Sequence, residues 1–517
     1  MFSRIDDYLD YHARVHAEVV FVTHEQQSFT FSRARERIDH IAGRLAASGL
    51  AKGDRLALLG RNSIEFFFMY LACARLGVVP VGINYRLTPR ECAFIIEDST
   101  AKVVFADEEL IAPVAKVCPR ISAICLHGNQ TGFPSFQSWL GEVAPPMERT
   151  LLQSQDVMSQ MYTSGTTGQP KGVLLSHGNI ISNVYQTALS SEYTWAPGDE
   201  FLLVAPMYHA AGIMIGYTGV LQGLTLVIHR EYDSARVVET LHSRPISAVT
   251  LVPAMLQMIV ETIPRLEAMQ FPDLRLIYYG ASPIAVPLLR RVIDIFECDF
   301  TQGYGQTEAN SIVAMLSASD HRRALTDRPD LLESCGRAAF DTELVIVDGQ
   351  GQALPVQRTG EIVVRGPQVM QGYWNNAEAT DQAVQNGWLH TGDVGRLDAE
   401  GYLTIVARVK DLIISGGENI YPAEIENALA TFPGLLECAV VGLPDERWGE
   451  VPVLALVRAL TAEGRQLSET AVKAHLEAKI ARFKLPRRVV FREELPKSAL
   501  GKVQKPILQQ QLMALDS

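Results

Sequence analysis

No two of the seven cysteines stand in C-x-x-C spacing, and their number is odd. A disulfide framework and a cysteine zinc site are therefore not expected, and a reducing, cytoplasmic location is. Positive charge is also scarce. The 46 Lys and Arg residues against 58 Asp and Glu leave a formal net charge of -12, so no nucleic-acid partner is expected. Low-complexity tracts and internal repeats are absent. The opening "MFSRIDDYLDYH" turns acidic at once and has no apolar core, so no signal peptide is expected. Ala210 to Ile228, "AAGIMIGYTGVLQGLTLVI", carries no charge and could span a bilayer by length. Gly212, Gly216, Gly219 and Gly223 interrupt it, and Gln222 is included. The stretch reads as a buried helix, turn and strand, with no integral membrane segment and peripheral membrane contact left open.

What is present is ordinary globular material. Hydrophobic residues make up 47% and charged residues 20% of 517, too many residues for one core, so two or more domains are expected. Short apolar runs such as "RLALLG", "AKVVFAD", "EFLLVAP", "GLTLVIH", "ISAVTLVPA" and "LRLIYYG" alternate with helical stretches such as "IEFFFMYLACARLG" and "PLLRRVIDIF". That alternation predicts an α/β protein with parallel sheets covered by helices. Near Trp388 the texture changes. "DVGRLDAEGYLTIVAR" predicts a hairpin turning at Asp398–Gly401. Beyond it the chain reads as a small α+β unit, with a helix from Ala423 and strands near "LECAVVGL" and "VPVLALVRA". A second helix, Glu469 to Ala481, would be capped by Ser468. The boundary falls at Lys410, giving domains 1–409 and 410–517.

The densest chemistry is "MYTSGTTGQPKGVLLSHGN", Met161 to Asn179. A Walker loop needs G-x-x-x-x-G-K-[S/T] between a strand and a helix. Here Lys171 follows Pro170 and precedes Gly172, and both flanks read as strands, with helix signals only near Asn179. A kinase glycine loop is absent too. The residue types still suit phosphate. Thr163, Ser164, Thr166 and Thr167 offer hydroxyl donors, while Gly165, Gly168 and Gly172 let backbone N–H groups form an anion nest. Lys171 adds a point charge. Further on, "YYGASP" predicts a strand end followed by a helix with Ser282 as cap and Pro283 in the first turn. That turn and Tyr304 both follow strand ends, where α/β sheets bind ligands. If the hairpin turns as drawn, Asp393 lies roughly opposite Val406, with Arg408 in reach of the same edge.

The pattern Y-T-S-G-T-T-G-x-P-K-G resembles the signature of the adenylate-forming superfamily, which includes acyl-CoA synthetases, luciferases and peptide-synthetase adenylation domains. The resemblance covers nearly the whole chain, with motifs in family order. It implies a large N-terminal domain of mixed and parallel sheets with helices and a small β-barrel-like part, followed by a small mobile C-terminal domain. "GYGQTEAN" resembles the second signature, which implies Tyr304 stacking on adenine, Thr307 at the α-phosphate and Glu308 holding Mg²⁺, with Thr163 as a second metal-side contact. A carboxylate plus phosphate oxygens suits that ion. "YYGASP" resembles the adenine-binding segment, so Gly280, Ala281 and Ser282, with Gln302, Gly303 and Gly305, are the nucleotide-binding expectation. "HTGD" and "ARVKD" resemble the ribose-binding pair, Asp393 and Arg408, although Ala407 stands where the family usually has glycine. "LPKSALGKVQK" resembles the C-terminal signature. Its late lysine, Lys502, reads by composition as a solvated side chain, and the resemblance makes it the adenylating residue.

The implied reaction has two halves. A carboxylate attacks the α-phosphorus of ATP to give acyl-AMP and pyrophosphate, and a thiol then displaces AMP. Lys502 would bridge the substrate carboxylate and the α-phosphate. Rotation about a hinge at Lys410 would then bring Ser415, Gly416 and Gly417 to face a pantetheine arm. Trp448, Phe483 and Arg487 are candidates for coenzyme A contact, although a solvated basic face with Arg482, Lys484 and Arg488 explains the same stretch. His209, Ala210 and Ala211, with Tyr185, Asn310 and Ser311, are expected to line the acyl pocket, His209 as a gate or as a satisfied core histidine. With no arginine for a second carboxylate, the expected substrate is a hydrophobic monocarboxylate, medium- or long-chain aliphatic or alicyclic. Partners are the acid, ATP and coenzyme A, with Mg²⁺ as cofactor and a homodimer left open. Aryl acids, a carrier-protein acceptor, luciferase-like oxidation and a non-catalytic nucleotide sensor are the alternatives.

Overall fold

The computed structural model describes residues 2–141, 143, 150–164, 169–415, 418–430, 432–497 and 503–515. Of the expected site residues, Gly165, Thr166, Thr167, Gly168, Gly416, Gly417 and Lys502 lie outside them.

The apolar runs form strands as expected. Glu200–Leu203, Thr225–Ile228, Ile246–Thr250, Leu276–Gly280 and Asp299–Tyr304 are parallel neighbours at the centre of a nine-stranded sheet. A seven-stranded sheet pairs Arg55–Leu59 with Val79–Ile83 and Ala101–Ala106, again in parallel. Helix Ile64–Leu76 packs against strands of both sheets. Apart from Glu65 and Arg75 near its ends, its sequence is apolar on every side, which is the pattern of a helix buried all round rather than one with a wet face. Ser63 caps its start by accepting from the Phe66 N–H, and Gly77 ends it in the left-handed conformation that glycine adopts without strain.

The uncharged 210–228 stretch is helix Ala210–Gln222, a Gly223 cap and strand Thr225–Ile228. Close approach accounts for its glycines: a Cβ at Gly216 would meet the Phe67 ring at 2.6 Å. Among the described residues, no helix is long and apolar enough to cross a membrane.

A five-stranded antiparallel sheet holds Trp388–Leu397 and Leu403–Arg408, the expected hairpin. Past it, a further five-stranded sheet and helices Pro422–Leu429, Glu469–Glu477 and Lys505–Met513 build their own apolar clusters, made only of residues from Ile413 onward. Ser468 caps the Glu469 helix as expected, but that helix ends at Glu477, not Ala481. Arg482–Lys484 forms a separate 3-10 turn ahead of Pro486. The helix after the glycine-rich loop starts at His177, two residues before Asn179, where Ser176 and Asn179 form a reciprocal capping box. The helix after "YYGASP" starts at Val286 with Ala285 as cap. Ser282 and Pro283 therefore belong to the preceding loop, because Pro287 supplies the first-turn proline.

Candidate active site

One cavity of about 620 Å³ collects most of the expected residues. Strands Val157–Ser164 and Pro170–Ser176 form an antiparallel hairpin in which Thr163 pairs with Lys171. Glu308 sits in the 3-10 turn Thr307–Ala309 that follows strand Asp299–Tyr304. Its Oε1 accepts from the Thr163 hydroxyl at 3.2 Å and from the Tyr373 hydroxyl at 3.0 Å. Lys171 Nζ lies 5.2 Å from the Tyr373 ring centroid, on its face. Thr163, Lys171, Thr307, Glu308 and Tyr373 all line the cavity.

Whether Mg²⁺ suits this cluster can be judged from its donors. Among the described residues, no basic side chain lies within 4 Å of Glu308, whose bonded partners are neutral hydroxyls. An uncompensated carboxylate beside a threonine hydroxyl, next to a lysine that itself faces an aromatic ring, fits a hard divalent cation bound together with phosphate oxygens.

The floor is formed by parallel strand ends. Gly280 pairs with Gly303, and both line the cavity with Ala281 and Gly305. Gly280 has φ +158°, and a Cβ there would lie 2.2 Å from the Gly303 carbonyl oxygen. Only a hydrogen fits. Gly280→Ala is therefore expected to push the two strand ends apart and raise KM for ATP on the order of tenfold, the equivalent of displacing backbone by one to two kilocalories. Steady-state kinetics over an ATP series checks it, and an unchanged KM would mean that this turn is not part of the nucleotide floor.

The two residues of the expected ribose-binding pair come together, with a change of register. Asp393 pairs with Arg408, not Val406: the hairpin closes on Leu397 and Leu403, one residue wider than a turn at Asp398–Gly401, and a bulge between Val394 and Gly395 leaves Val406 as an extra residue. The shift places both side chains on one face. Arg408 Nε lies 2.9 Å from Asp393 Oδ1, and the Tyr304 hydroxyl donates to Oδ2 at 2.8 Å. Asp393 is buried, while Arg408 lines the cavity and is nearly half exposed. Burial beside the Asp393 carboxylate raises the Tyr304 phenol, which stays protonated as the donor. Ala407 is buried in the pairing with Val394.

A second arm of the cavity runs between two helices. Helix His177–Ser191 contributes Val184, Thr187 and Ala188, and helix Ala210–Gln222 contributes Ala210, Ala211, Met214, Ile215, Thr218 and Gln222. The fourfold spacing marks one face of each helix. From Ala210 to Gln222 the arm follows about 18 Å of helix. Its threonines are drier than their type suggests, because Thr187 and Thr218 donate to the carbonyls of Asn183 and Met214 at 2.8 Å. His209, on the wall, is the N-cap of the second helix, its Nδ1 accepting from the Ala211 N–H at 3.3 Å. Ser311 lines the cavity with its hydroxyl oxygen buried and, among the described residues, without a hydrogen-bond partner.

Tyr304 and Asp393, bonded to each other, are not on the wall, and four further expected residues lie off it. Tyr185 falls on another face of its helix and donates to the Tyr8 hydroxyl at 3.1 Å. Asn310 is fully buried and donates to the Asn179 carbonyl. Gln302 lies against the Tyr279 hydroxyl, 3.3 Å away, behind the sheet end. Ser282 sits in the loop beyond Ala281 without reaching the cavity. Conversely, Tyr373, Glu361 and His390 line it unanticipated, the last two bonded at 2.9 Å. Glu361 and His390 stand 29 positions apart and carry no motif spacing, and Tyr373 had only "GYW" to mark it.

Lys410 lines the same cavity from a 3-10 turn, Val409–Asp411. In the C-terminal sheet Ser415 pairs with Gly449, next to Trp448, and the Arg487 N–H bonds the Pro452 carbonyl on the same strand. Trp448 and Phe483 are exposed, while Lys484 is taken up by Glu424 at 2.7 Å.

Comparison with known proteins agrees with this geometry. Residues 9–374 match the family described as AMP-binding enzyme, and 424–502 match the AMP-binding enzyme C-terminal domain. A feruloyl-CoA synthase of Amycolatopsis sp. is 35% identical over 497 residues, 95% of this chain and 96% of that protein. A fatty acid–[acyl-carrier-protein] ligase of Streptomyces coeruleorubidus is 35% identical, covering 95% and 93%. The solved structure of O-succinylbenzoate coenzyme A synthetase from Bacillus subtilis, in complex with ATP and magnesium ion, superposes with a TM-score of 0.85 at 30% identity, covering 96% and 98%. The chain belongs to the AMP-binding enzymes, the adenylate-forming superfamily, as an AMP-forming acid–thiol ligase.

Proposed function

We propose that the chain activates a hydrophobic monocarboxylate, medium- or long-chain aliphatic or alicyclic, as its adenylate and transfers the acyl group to coenzyme A. The observation that carries the substrate class is the helix-lined arm of the cavity. Its wall is alanine, methionine, isoleucine, valine and two threonines whose donors are already used, with one polar amide, Gln222, at the end of its helix. The basic groups on the described wall are Lys171, Arg408 and Lys410, and Arg408 is paired with Asp393. A second carboxylate on the substrate would therefore be buried without a partner in that arm, at a cost of several kilocalories.

Chain residues would then divide the work. Thr163, Ser164 and Lys171, with Gly165 to Gly168, hold the pyrophosphate end. Glu308 with Thr163 holds Mg²⁺, which when bound offsets phosphate charge. Tyr304, Gly280, Ala281, Asp393 and Arg408 place the adenosine, and Lys502 stabilises charge where the carboxylate approaches the α-phosphate. The domain of residues 410–517 then turns about Lys410, so that Ser415, Trp448, Phe483 and Arg487 meet coenzyme A.

Pyrophosphate release across a panel of carboxylic acids, each with and without coenzyme A, tests the reading. Multiple turnovers with aliphatic or alicyclic acids, dependent on coenzyme A, are expected. Fastest turnover with aryl acids would overturn the substrate class. Release that coenzyme A does not accelerate would point to a carrier-protein acceptor, the activity carried in the name of the Streptomyces relative.

A further inference from the structure

We infer that Tyr373 is a positioning residue that keeps the phosphate lysine and the metal-side carboxylate apart, so that both are free when ATP and its metal arrive. The inference rests on the roles proposed above for Lys171 and Glu308.

A lysine and a glutamate facing one small cavity attract each other. A pair formed in the empty site would have to be broken by every incoming nucleotide, and the binding energy would be spent on that exchange. Tyr373 contacts both and satisfies each separately. Its ring face holds Lys171 Nζ at 5.2 Å from the centroid, and its hydroxyl donates to Glu308 Oε1 at 3.0 Å. Among the described residues Lys171 and Glu308 are not within 4 Å of each other.

The tyrosine is fixed from three sides. The Met370 N–H donates to the Glu308 carbonyl at 2.8 Å, which ties this strap to the turn that carries the carboxylate. Tyr373 then pairs with Val173 of the lysine-bearing strand, and the Trp374 N–H donates to the Gly172 carbonyl at 2.7 Å. The Tyr373 N–H itself is taken by the Thr380 hydroxyl at 2.9 Å. One short strand thus registers the lysine hairpin against the glutamate turn, and the side chain at its centre is the spacer.

ATP binding measured by calorimetry without any acid, in EDTA and in excess Mg²⁺, tests this apart from turnover. Tyr373→Phe keeps the ring and loses the hydroxyl. It is expected to weaken binding in Mg²⁺ about tenfold, the scale of one hydrogen bond to a charged group, and to leave binding in EDTA unchanged. Tyr373→Leu removes the ring as well, allows the two charges to pair, and is expected to weaken binding in both conditions, more so at low salt. Should the leucine variant fail to fold, the phenylalanine variant decides alone. Glu308→Gln is the control for the underlying reading. If it abolishes the Mg²⁺ enhancement while Tyr373→Phe binds like the parent, the positioning role is overturned. If Glu308→Gln keeps the enhancement, the metal assignment itself has failed.

Discussion

Lys502→Ala is expected to slow acyl-adenylate formation by about 10²–10³-fold, the usual cost of removing one preorganised charge-stabilising group, and to leave thioesterification of supplied acyl-AMP nearly intact. The asymmetry follows from where charge gathers. In the first half-reaction an anionic carboxylate must approach a triply charged phosphate chain, and stabilising that encounter is the main task. In the second, the acyl carbon is already activated and AMP leaves. The described wall contains one rival. Lys410 lines the cavity from the Val409–Asp411 turn, whereas Lys171 faces Tyr373 and Arg408 pairs with Asp393. Pyrophosphate release and acyl-AMP consumption, measured separately for Lys502→Ala and Lys410→Ala, distinguish them. Loss of the first half in the Lys410 variant with the Lys502 variant unimpaired would transfer the role, and equal loss of both halves in Lys502→Ala would remove the division of labour.

Much of this site could be read from residue order, and the exceptions share a cause. Strand ends, the Thr163–Lys171 hairpin and the Asp398–Gly401 turn are local, set by two-residue periodicity and turn chemistry within a few positions. The Asp393–Arg408 pair was legible as a motif but not in register, because the wider turn and the bulged residue, Val406, are both invisible to a count from the turn. Tyr185 was misplaced by helix phase: it is adjacent in sequence to Val184 and lies on a different face. The Ser282 cap failed because Pro287 offers a later start that also satisfies first-turn chemistry. Tyr373 was the costliest omission. Its partners Lys171 and Glu308 lie 202 and 65 positions away by residue number, and only the pairing of Gly372–Tyr373 with the hairpin strand brings the three together.

Acidification should destabilise the fold well before its carboxylates titrate. His177, His229 and His321 are each buried, and burial is the largest cause that brings each down to about 4 from the ordinary 6.5. Positive neighbours add to it, Arg4 at His177 and Arg236 at His229. His321 shows what protonation would disturb. Its Nδ1 faces the Ser317 carbonyl at 2.8 Å, so that nitrogen carries the proton, and Nε2 accepts from the Tyr279 hydroxyl at 2.9 Å. A second proton would remove that acceptor beside Gly280, at the edge of the nucleotide floor. The sign follows from where protons bind. In the folded chain the three rings are neutral down to about pH 4, and in the unfolded chain they charge below about 6.5. The stability they contribute is complete above pH 6.5 and is lost as pH falls toward 4. The steepest slope is roughly 1.4 kcal/mol per pH unit for each ring, near 4 for all three. Net charge alone gives the opposite sign, since lowering the pH from 7 brings the formal -12 closer to zero and relieves self-repulsion. Thermal unfolding at fixed scan rate, stepped from pH 7.5 to 5.5 where most carboxylates are still ionised, separates the two. A midpoint that falls steadily below pH 6.5 is expected, and one that holds level or rises would mean that these rings do not govern the acid limit.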